Sequence, residues 1–381
     1  MSYTLHLAGW YPSRVDPFNG DFVQRQVQAV SLYEKVVLLF LVKDPSLARG
    51  VIDIHVSEKG NLTEYITYYS AKGPLERGIS LWHFLSLGFR MVNKIKKEHG
   101  LPARVHAHVV WKAGLLALSL KIRYGWSYLL TEHWAGYTTD NPWGLHTQSR
   151  LRRYLYRKVF ASAKSLLAVS ADLIRQVDRW LPGMRAVVAS NVVDTSLFYY
   201  QPSTQTAVKK GLHVSTMGYQ KNIDGILRVL DRLLATRDDV QLTLVGPYSA
   251  GTKKELAERG LLDTKVFLTG SLSYAEVAVL TRQSDFLFLF SRYENQPCVV
   301  LEALCCGLPV IATAVGGIPE VIDDDNGILV ASEKEDQLLQ AFHTMIEGYA
   351  KYQRHAIAAT AAEKFSYAAI GRRVMDIYGY L

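Results

Sequence analysis

The stretch FLFLFSRYENQPCVVLEALCCGLPVIA, residues 286–312, decides how this chain is read. It opens on an apolar run, Phe286–Phe290, of strand length and without helical period. A polar loop follows and carries Glu294. Pro297 then stands where a first helical position belongs, because proline lacks only an N–H that is orphaned there anyway. The helix predicted from there passes through Glu302 and stops at Gly307, ahead of Pro309. Val310–Ala312 then starts a new strand. Strand, loop, helix and strand in that order form the repeating unit of a parallel α/β sheet.

This arrangement has chemical consequences. Around Pro297, which has no N–H of its own, the backbone N–H groups of Gln296, Cys298 and Val299 face out of the helix start with the positive end of the dipole behind them, and suit a phosphate or sugar hydroxyls. Glu294, with Asn295 beside it, lies just before that start, where a carboxylate accepts hydrogen bonds from hydroxyls. Glu302 sits inside the helix on the face of Cys298. It is either a solvent-facing helix residue or a carboxylate paired with a group such as a ribose diol.

Outward from this segment the alternation continues in both directions. Strands are predicted at 3–8, 36–42, 105–107, 127–131 and 165–169, and again at 212–215, 241–245 and 265–268. Helices are predicted between them, among others at 21–32, 81–98, 112–124 and 149–161. The polar segment 200–211 has linker composition. The expected architecture is two Rossmann-like, doubly wound domains, 1–195 and 196–364. Such sheets bind ligands beyond the carboxyl ends of their strands, so the site is expected in the cleft that the domains face.

The first 195 residues carry 25 basic against 14 acidic residues; the remainder carries 18 against 21. The first half is therefore drawn to anionic surfaces. Nucleic acid is not expected, since its binding motifs are absent; an anionic membrane face, a phosphate-bearing acceptor or a plain solvated surface remain. Three cysteines, Cys298, Cys305 and Cys306, lie in one short segment without metal-ligand spacing and suit a reducing compartment. The first ten residues read as a strand rather than a signal peptide, and a cytoplasmic protein is expected.

Four segments in order resemble glycosyltransferase family 4, the glycosyl transferases group 1. These are the Glu–x7–Glu pair from Glu294 to Glu302, Cys-Cys-Gly-Leu-Pro-Val-Ile-Ala at 305–312, Ala-Val-Gly-Gly-Ile-Pro-Glu-Val-Ile at 314–322, and Asn-Gly-Ile-Leu-Val at 326–330. The resemblance implies the GT-B fold, with the final segment, 365–381, returning to the first domain. It also implies a retaining, metal-independent transfer of a sugar from a nucleotide-sugar donor to an acceptor hydroxyl. The first glutamate then binds the transferred sugar and the second the nucleotide ribose.

Other positions follow residue by residue. His108, in Val-His-Ala-His at 105–108, resembles the histidine that reaches the donor sugar, while His106 is assigned to the opposite face and a structural role. Thr131-Glu132-His133 resembles an acceptor-side segment, which makes His133 a candidate there. Gly20 occupies the glycine-rich loop near the diphosphate, and Lys221 matches the family lysine. Thr216 stands where the family has an arginine, leaving Lys221, the helix N–H groups and Arg292 as the available cationic and N–H donors. No cofactor or metal is expected, and the sequence is read as carrying no Asp-x-Asp motif, which agrees with metal independence. The acceptor is expected to be a glycan or lipid-linked, as in cell-surface polysaccharide or glycolipid assembly, with specificity in the loops 72–80 and 137–148. A nucleotide-sugar epimerase of the same build and a non-catalytic sugar-nucleotide-binding protein are the alternatives.

Overall fold

A computed structural model describes residues 2–70, 76–202 and 207–379, and of 76–80 the backbone only. The chain divides into two compact units, Met1–Val192 with Tyr367–Leu381, and Val193–Ser366. The first contains β1 (Thr4–Ala8), α1 (Asp21–Ser31), β2 (Val36–Lys43), β3 (Ile52–Lys59), β4 (Leu62–Tyr69), α2 (Glu76–His99), β5 (Arg104–His108), α3 (Leu115–Tyr124), β6 (Tyr128–Glu132), α4 (Arg150–Ser162), β7 (Leu166–Ala168), α5 (Ala171–Asp178) and β8 (Ala186–Val188). The second contains β9 (Lys209–Val214), α6 (Ile223–Leu234), β10 (Val240–Val245), α7 (Ala250–Glu258), β11 (Val266–Gly270), α8 (Tyr274–Gln283), β12 (Phe286–Leu289), α9 (Cys298–Cys305), β13 (Val310–Thr313), β14 (Gly327–Val330), α10 (Glu335–Glu347) and α11 (Arg354–Phe365). The last helix, α12 (Tyr367–Gly379), belongs to the first unit.

The first sheet runs β3-β4-β2-β1-β5-β6-β7-β8 and the second β11-β10-β9-β12-β13-β14. Every pairing is parallel except β3 with β4. In each sheet the winding direction reverses once, between β1 and β5 and between β9 and β12, and such switch points open a crevice at the strands' carboxyl ends.

Burial explains the apolar strand runs. Phe286, Phe288 and Phe290 are fully buried, and Phe288 packs edge-on to Phe342 of α10 at 5.1 Å between centroids. A sheet covered on both faces has no solvent side, so β12 carries no polar alternation.

The structure moves several boundaries. Val193 N donates to Phe365 O at 2.9 Å and Val193 bridges Ser366, so the second unit claims 193–195 and 365–366, which were expected in the first domain. Within the expected linker, 203–206 lie outside the described residues, and from Lys209 the chain is already β9. Of the expected acceptor loop 72–80, residues 72–75 lie outside the described ones and α2 begins at Glu76. The helix expected from Lys112 starts regularly only at Leu115, because Lys112 has φ 66°. The β3–β4 hairpin was not foreseen, although Gly60-Asn61 between two extended runs is a hairpin turn signal, and Gly60 takes φ 58° there.

Candidate functional site

In the second unit, β9 and β12 deliver the two charged groups. Beyond β9 the chain turns through Ser215–Gly218 into a short turn, Tyr219–Lys221, and beyond β12 it loops through Ser291–Pro297 into α9. Lys221 Nζ and Glu294 Oε1 form a close ion pair between side chains that are only 14% and 6% exposed. Glu294 Oε1 also accepts from Ser291 Oγ at 2.8 Å, and Oε2 accepts from Gln220 Nε2 at 3.1 Å. Three donors on one carboxylate, shielded from water, fix its position.

The glycine pair in Ala-Val-Gly-Gly at 314–317 has a steric explanation. Gly316 takes φ 58°, and a Cβ there would lie 2.0 Å from the carbonyl oxygen of Glu294. Gly317 N donates to Asn295 O. The loop after β13 thus backs the Glu294 loop at a distance only glycine permits.

Pro297 is the residue before α9 rather than its first residue, with φ −68° and ψ 123°. Cys298 and Val299, in the first turn, are half-buried, whereas Glu294, Asn295 and Gln296 are buried. Glu302 is 4% exposed and accepts from Tyr274 Oη at 3.0 Å, so it is not a solvent-facing helix residue. Burial raises the thiols of Cys305 and Cys306, the latter to about 12, which makes both unreactive packing groups.

The cation balance differs from the sequence expectation. Arg292 is committed elsewhere: Nε bonds Glu333 at 2.9 Å, Nη1 bonds Tyr219 O at 2.6 Å, and the guanidinium lies over the Tyr219 ring. It stiffens the Tyr219–Lys221 turn instead of offering charge beside Thr216. A residue not singled out in the sequence holds the preceding turn. His213 Nδ1 bonds Phe288 O at 3.0 Å, so this nitrogen carries the proton and Nε2 accepts from Ser215 Oγ at 2.8 Å. Ser215 Oγ in turn accepts from Met217 N at 2.9 Å. Burial lowers the His213 pKa to about 4, which keeps this tautomer in place.

The triplet Asp323-Asp324-Asp325 does spell Asp-x-Asp, contrary to the reading above. It precedes β14, at the amino ends of the strands and away from Glu294, and Asp323 Oδ1 accepts from Asp325 N at 3.1 Å. The Asp323 carboxylate organises a turn.

In the first unit, β1 leads to Gly20 and β5 ends at His108, again at the switch point. Gly20 precedes α1 with φ 70°, and a Cβ would lie 2.5 Å from the Trp10 carbonyl carbon. The start of α1 already holds a carboxylate: Asp21 Oδ1 accepts from Phe22 N at 2.8 Å and Oδ2 from the buried Arg25 at 2.8 Å. That acid competes with any phosphate there.

His6, His106 and His108 share one face, which corrects the assignment of His106 to the opposite one: positions i and i+2 of a strand point the same way. The rings of His106 and His108 stack at 4.4 Å. His6 Nδ1 bonds His108 Nε2 at 2.9 Å, and His106 bonds Tyr378 Oη and Thr131 Oγ1, each at 2.6 Å. Burial holds all three imidazoles neutral, with His6 lowered to about 3 and His106 and His108 well below their ordinary value. Their ligand nitrogens lie within 4.8 Å of one another, the reach of a metal ion, but the nitrogens of His106 and the facing pair of His6 and His108 are occupied by these hydrogen bonds. His108 Nδ1 is buried and has no partner among the described residues. His133 stacks near it at 6.3 Å, with Phe22 on its other side at 4.8 Å. Gly20, His108 and His133 are thus gathered at one end of the first sheet.

Glu132 was quoted in the sequence without a role. Buried, it accepts from His133 N, Trp134 N, Val110 N and Tyr137 Oη, and burial pushes its carboxyl upward against those bonds. It fixes both His133 and the turn after His108, where Val109 takes φ 74°, a strained value for a β-branched residue.

Comparison with known proteins extends these findings. Residues 203–363 match the family described as glycosyl transferases group 1, and 66–191 match the glycosyl transferase 4-like domain. An uncharacterized glycosyltransferase of Methanocaldococcus jannaschii is 23% identical over 363 residues, covering 87% of this chain and 92% of its own. The alpha-maltose-1-phosphate synthase of Mycolicibacterium smegmatis is 25% identical over 324 residues, covering 77% and 82%. Among solved structures, sucrose-phosphate synthase from Thermosynechococcus elongatus aligns with a TM-score of 0.77 at 18% identity, covering 99% of this chain and 98% of its own. Anabaena HepE in complex with UDP aligns at 0.73 and 16% identity over all of both chains. With its two units matched in turn by the two halves of that pattern, the chain belongs to the group 1 glycosyltransferases and has the GT-B fold.

Proposed function

We propose that the protein transfers a sugar, with retention of anomeric configuration and without a metal ion or cofactor, from a nucleoside diphosphate sugar to an acceptor hydroxyl. The observation that carries this reading is the Lys221–Glu294 pair at the second sheet's switch point, with α9 starting four residues beyond Glu294 and Glu302 one turn inside it. Glu294, positioned by Ser291 and Gln220, accepts hydrogen bonds from hydroxyls of the transferred sugar. Glu302 takes the ribose diol, with Tyr274 orienting it. Lys221 and the N–H groups around Gln296–Val299 stabilise the charge that grows on the diphosphate as the glycosidic bond breaks, and donors preorganised there lower the barrier. With Thr216 uncharged and Arg292 held by Glu333, this charge rests on Lys221 and backbone dipoles.

In the first unit, roles for Gly20 in diphosphate contact, His108 in sugar contact and His133 on the acceptor side rest on the family resemblance and on their shared place at that sheet's switch point. His108 is fully buried in this state, so a sugar contact requires its cover to open. The acceptor is proposed to be a glycan or lipid-linked hydroxyl of cell-surface polysaccharide or glycolipid assembly.

UDP-sugars are the first donors to test, since Anabaena HepE was solved with UDP and with UDP-glucose. The protein is incubated with a panel of nucleotide sugars, with and without lipid-extract acceptors, with and without a chelator. Acceptor-dependent nucleotide release, unaffected by chelation, and a product that keeps the donor's anomeric configuration by NMR are expected. Epimerised donor without acceptor, or binding without turnover under every condition, contradicts the reading.

A further inference from the structure

Between Asp140 and Asp172 the chain carries six cations and no acid. Most of that segment is α4, a helix of 13 residues and so about 20 Å long. Its inner face is conventional: Tyr156, Val159 and Phe160 are buried in the core of the first unit. Arg152 also turns inward, bonding Gln148 and lying over the Trp111 ring at 4.4 Å.

The outer face is different. Arg150, Leu151, Tyr154, Arg157 and Lys158 are exposed and recur at helical spacing, so they form one stripe. None of its three cations has a salt bridge among the described residues; the nearest acids in sequence are otherwise engaged, Asp140 by Thr138 and Asp172 by Arg175 and Gln176. Between the cations lie two side chains that a plain solvated face has no use for, Leu151 at 68% exposure and Tyr154 at 55%. Trp143, 63% exposed, stands at the head of the same helix, where Gln148 Nε2 bonds its carbonyl at 3.3 Å.

We propose that this face of α4, with Trp143, docks the protein on an anionic phospholipid surface. The chemistry is complementary on both counts. Cations without an acidic partner, Lys158 lying only over the Tyr154 ring at 5.4 Å, are attracted to lipid phosphates, while Leu151 and Tyr154 on the same face, and Trp143 ahead of the helix, enter the headgroup boundary. A tryptophan at the end of such a helix occupies the depth that its amphipathic ring prefers. Nucleic acid would use the cations but leave Leu151 without a partner, and a small phosphorylated acceptor would not span the length of the stripe. No helix among the described residues is long and apolar enough to cross a membrane, so contact of this kind lies on the surface rather than through it. The inference rests on the first unit alone and stands or falls independently of the proposed transfer.

Co-sedimentation with phosphatidylglycerol–phosphatidylcholine vesicles and with phosphatidylcholine vesicles alone tests it. The full chain is expected to partition onto the anionic vesicles and to be released by raised salt. Arg157→Gln with Lys158→Gln should weaken partition about 30-fold, from the loss of two surface cations. Leu151→Ala with Tyr154→Ala should weaken it while leaving the salt dependence in place. Lys253→Gln with Lys254→Gln, exposed lysines on α7, serve as the control and should bind as the unaltered protein. Thermal unfolding of each variant at the unaltered midpoint establishes that the fold is kept. Equal binding by the α4 variants and the unaltered protein, equal weakening by the α7 variant, or binding to an RNA oligonucleotide but to no vesicle overturns the proposal.

Discussion

At the carboxyl ends of β9 and β12 the second unit gathers a carboxylate, an ammonium and the start of a helix; at the carboxyl ends of β1 and β5 the first unit gathers imidazoles that burial keeps neutral. Both sheets reverse their winding at these points, so topology presents a crevice in each. What differs is how charge is treated. In the second unit every oxygen of Glu294 has a donor and its loop is backed by Gly316. In the first, a nitrogen of His108 has no partner among the described residues, Val109 is strained and Glu132 is buried at a cost to its ionised form. The comparison teaches that one end keeps a charged pair in place with donors on every carboxylate oxygen, while the other holds its shape without charge on its imidazoles.

Acid should separate the two ends with the largest effect. His6, His106, His108 and His133 are buried neutral in the first unit, with His6 and His133 lowered to about 3; the second unit has His213, lowered to about 4. The unfolded chain takes up protons at these histidines below about pH 6.5 and the folded chain does not. Their stability contribution is thus complete above pH 6.5 and falls as pH drops toward the folded values, by about 1.4 kcal/mol per pH unit for each histidine. All seven tryptophans lie in the first unit. Tryptophan fluorescence should therefore report unfolding at a higher pH than the residual far-ultraviolet circular dichroism; coincident transitions would break the contrast.

Removing the charge at the other end comes next. Glu294→Ala is expected to lower kcat by about 10²–10³-fold, the scale of losing one preorganised contact to the transition state, and to lower the unfolding midpoint as well, because the largely buried Lys221 loses its partner. Gly316→Ala strikes the same loop through the backbone. The positive φ and the 2.0 Å approach to Glu294 O should destabilise the second unit by about 1–3 kcal/mol and reduce turnover as well, read by thermal unfolding and initial rates. The smallest effect is Tyr274→Phe, which removes one hydrogen bond to Glu302 and should raise the donor KM about threefold to tenfold with kcat retained.

The second unit was largely legible in the sequence because its signals are local. Strand 286–290, the proline before α9 and the glycine after it sit within one stretch, and Glu302 is fixed by helical spacing from Cys298. The pairing of Lys221 with Glu294 was not legible, since it depends on β9 and β12 lying side by side across 73 residues of chain. The role of Arg292 failed for the same reason: Glu333, which holds it, is 41 residues away. In the first unit the histidine network joins β1, β5 and α12, and Tyr378 reaches His106 from 272 residues along the chain. No periodicity encodes such a contact. The β3–β4 hairpin is the opposite case, a local turn signal at Gly60-Asn61 that was present and passed over.

The division of labour between the two glutamates is the centre of this account, and one paired measurement tests it: calorimetric titration of UDP, beside acceptor-dependent turnover, for Glu294→Ala and Glu302→Ala. The account predicts that Glu302→Ala loses UDP affinity by about tenfold or more, as a charged hydrogen-bonding partner is removed. Glu294→Ala should bind UDP nearly as the unaltered protein does and lose its turnover. A Glu294→Ala protein with full turnover, or a Glu302→Ala protein with unchanged UDP affinity, would contradict it.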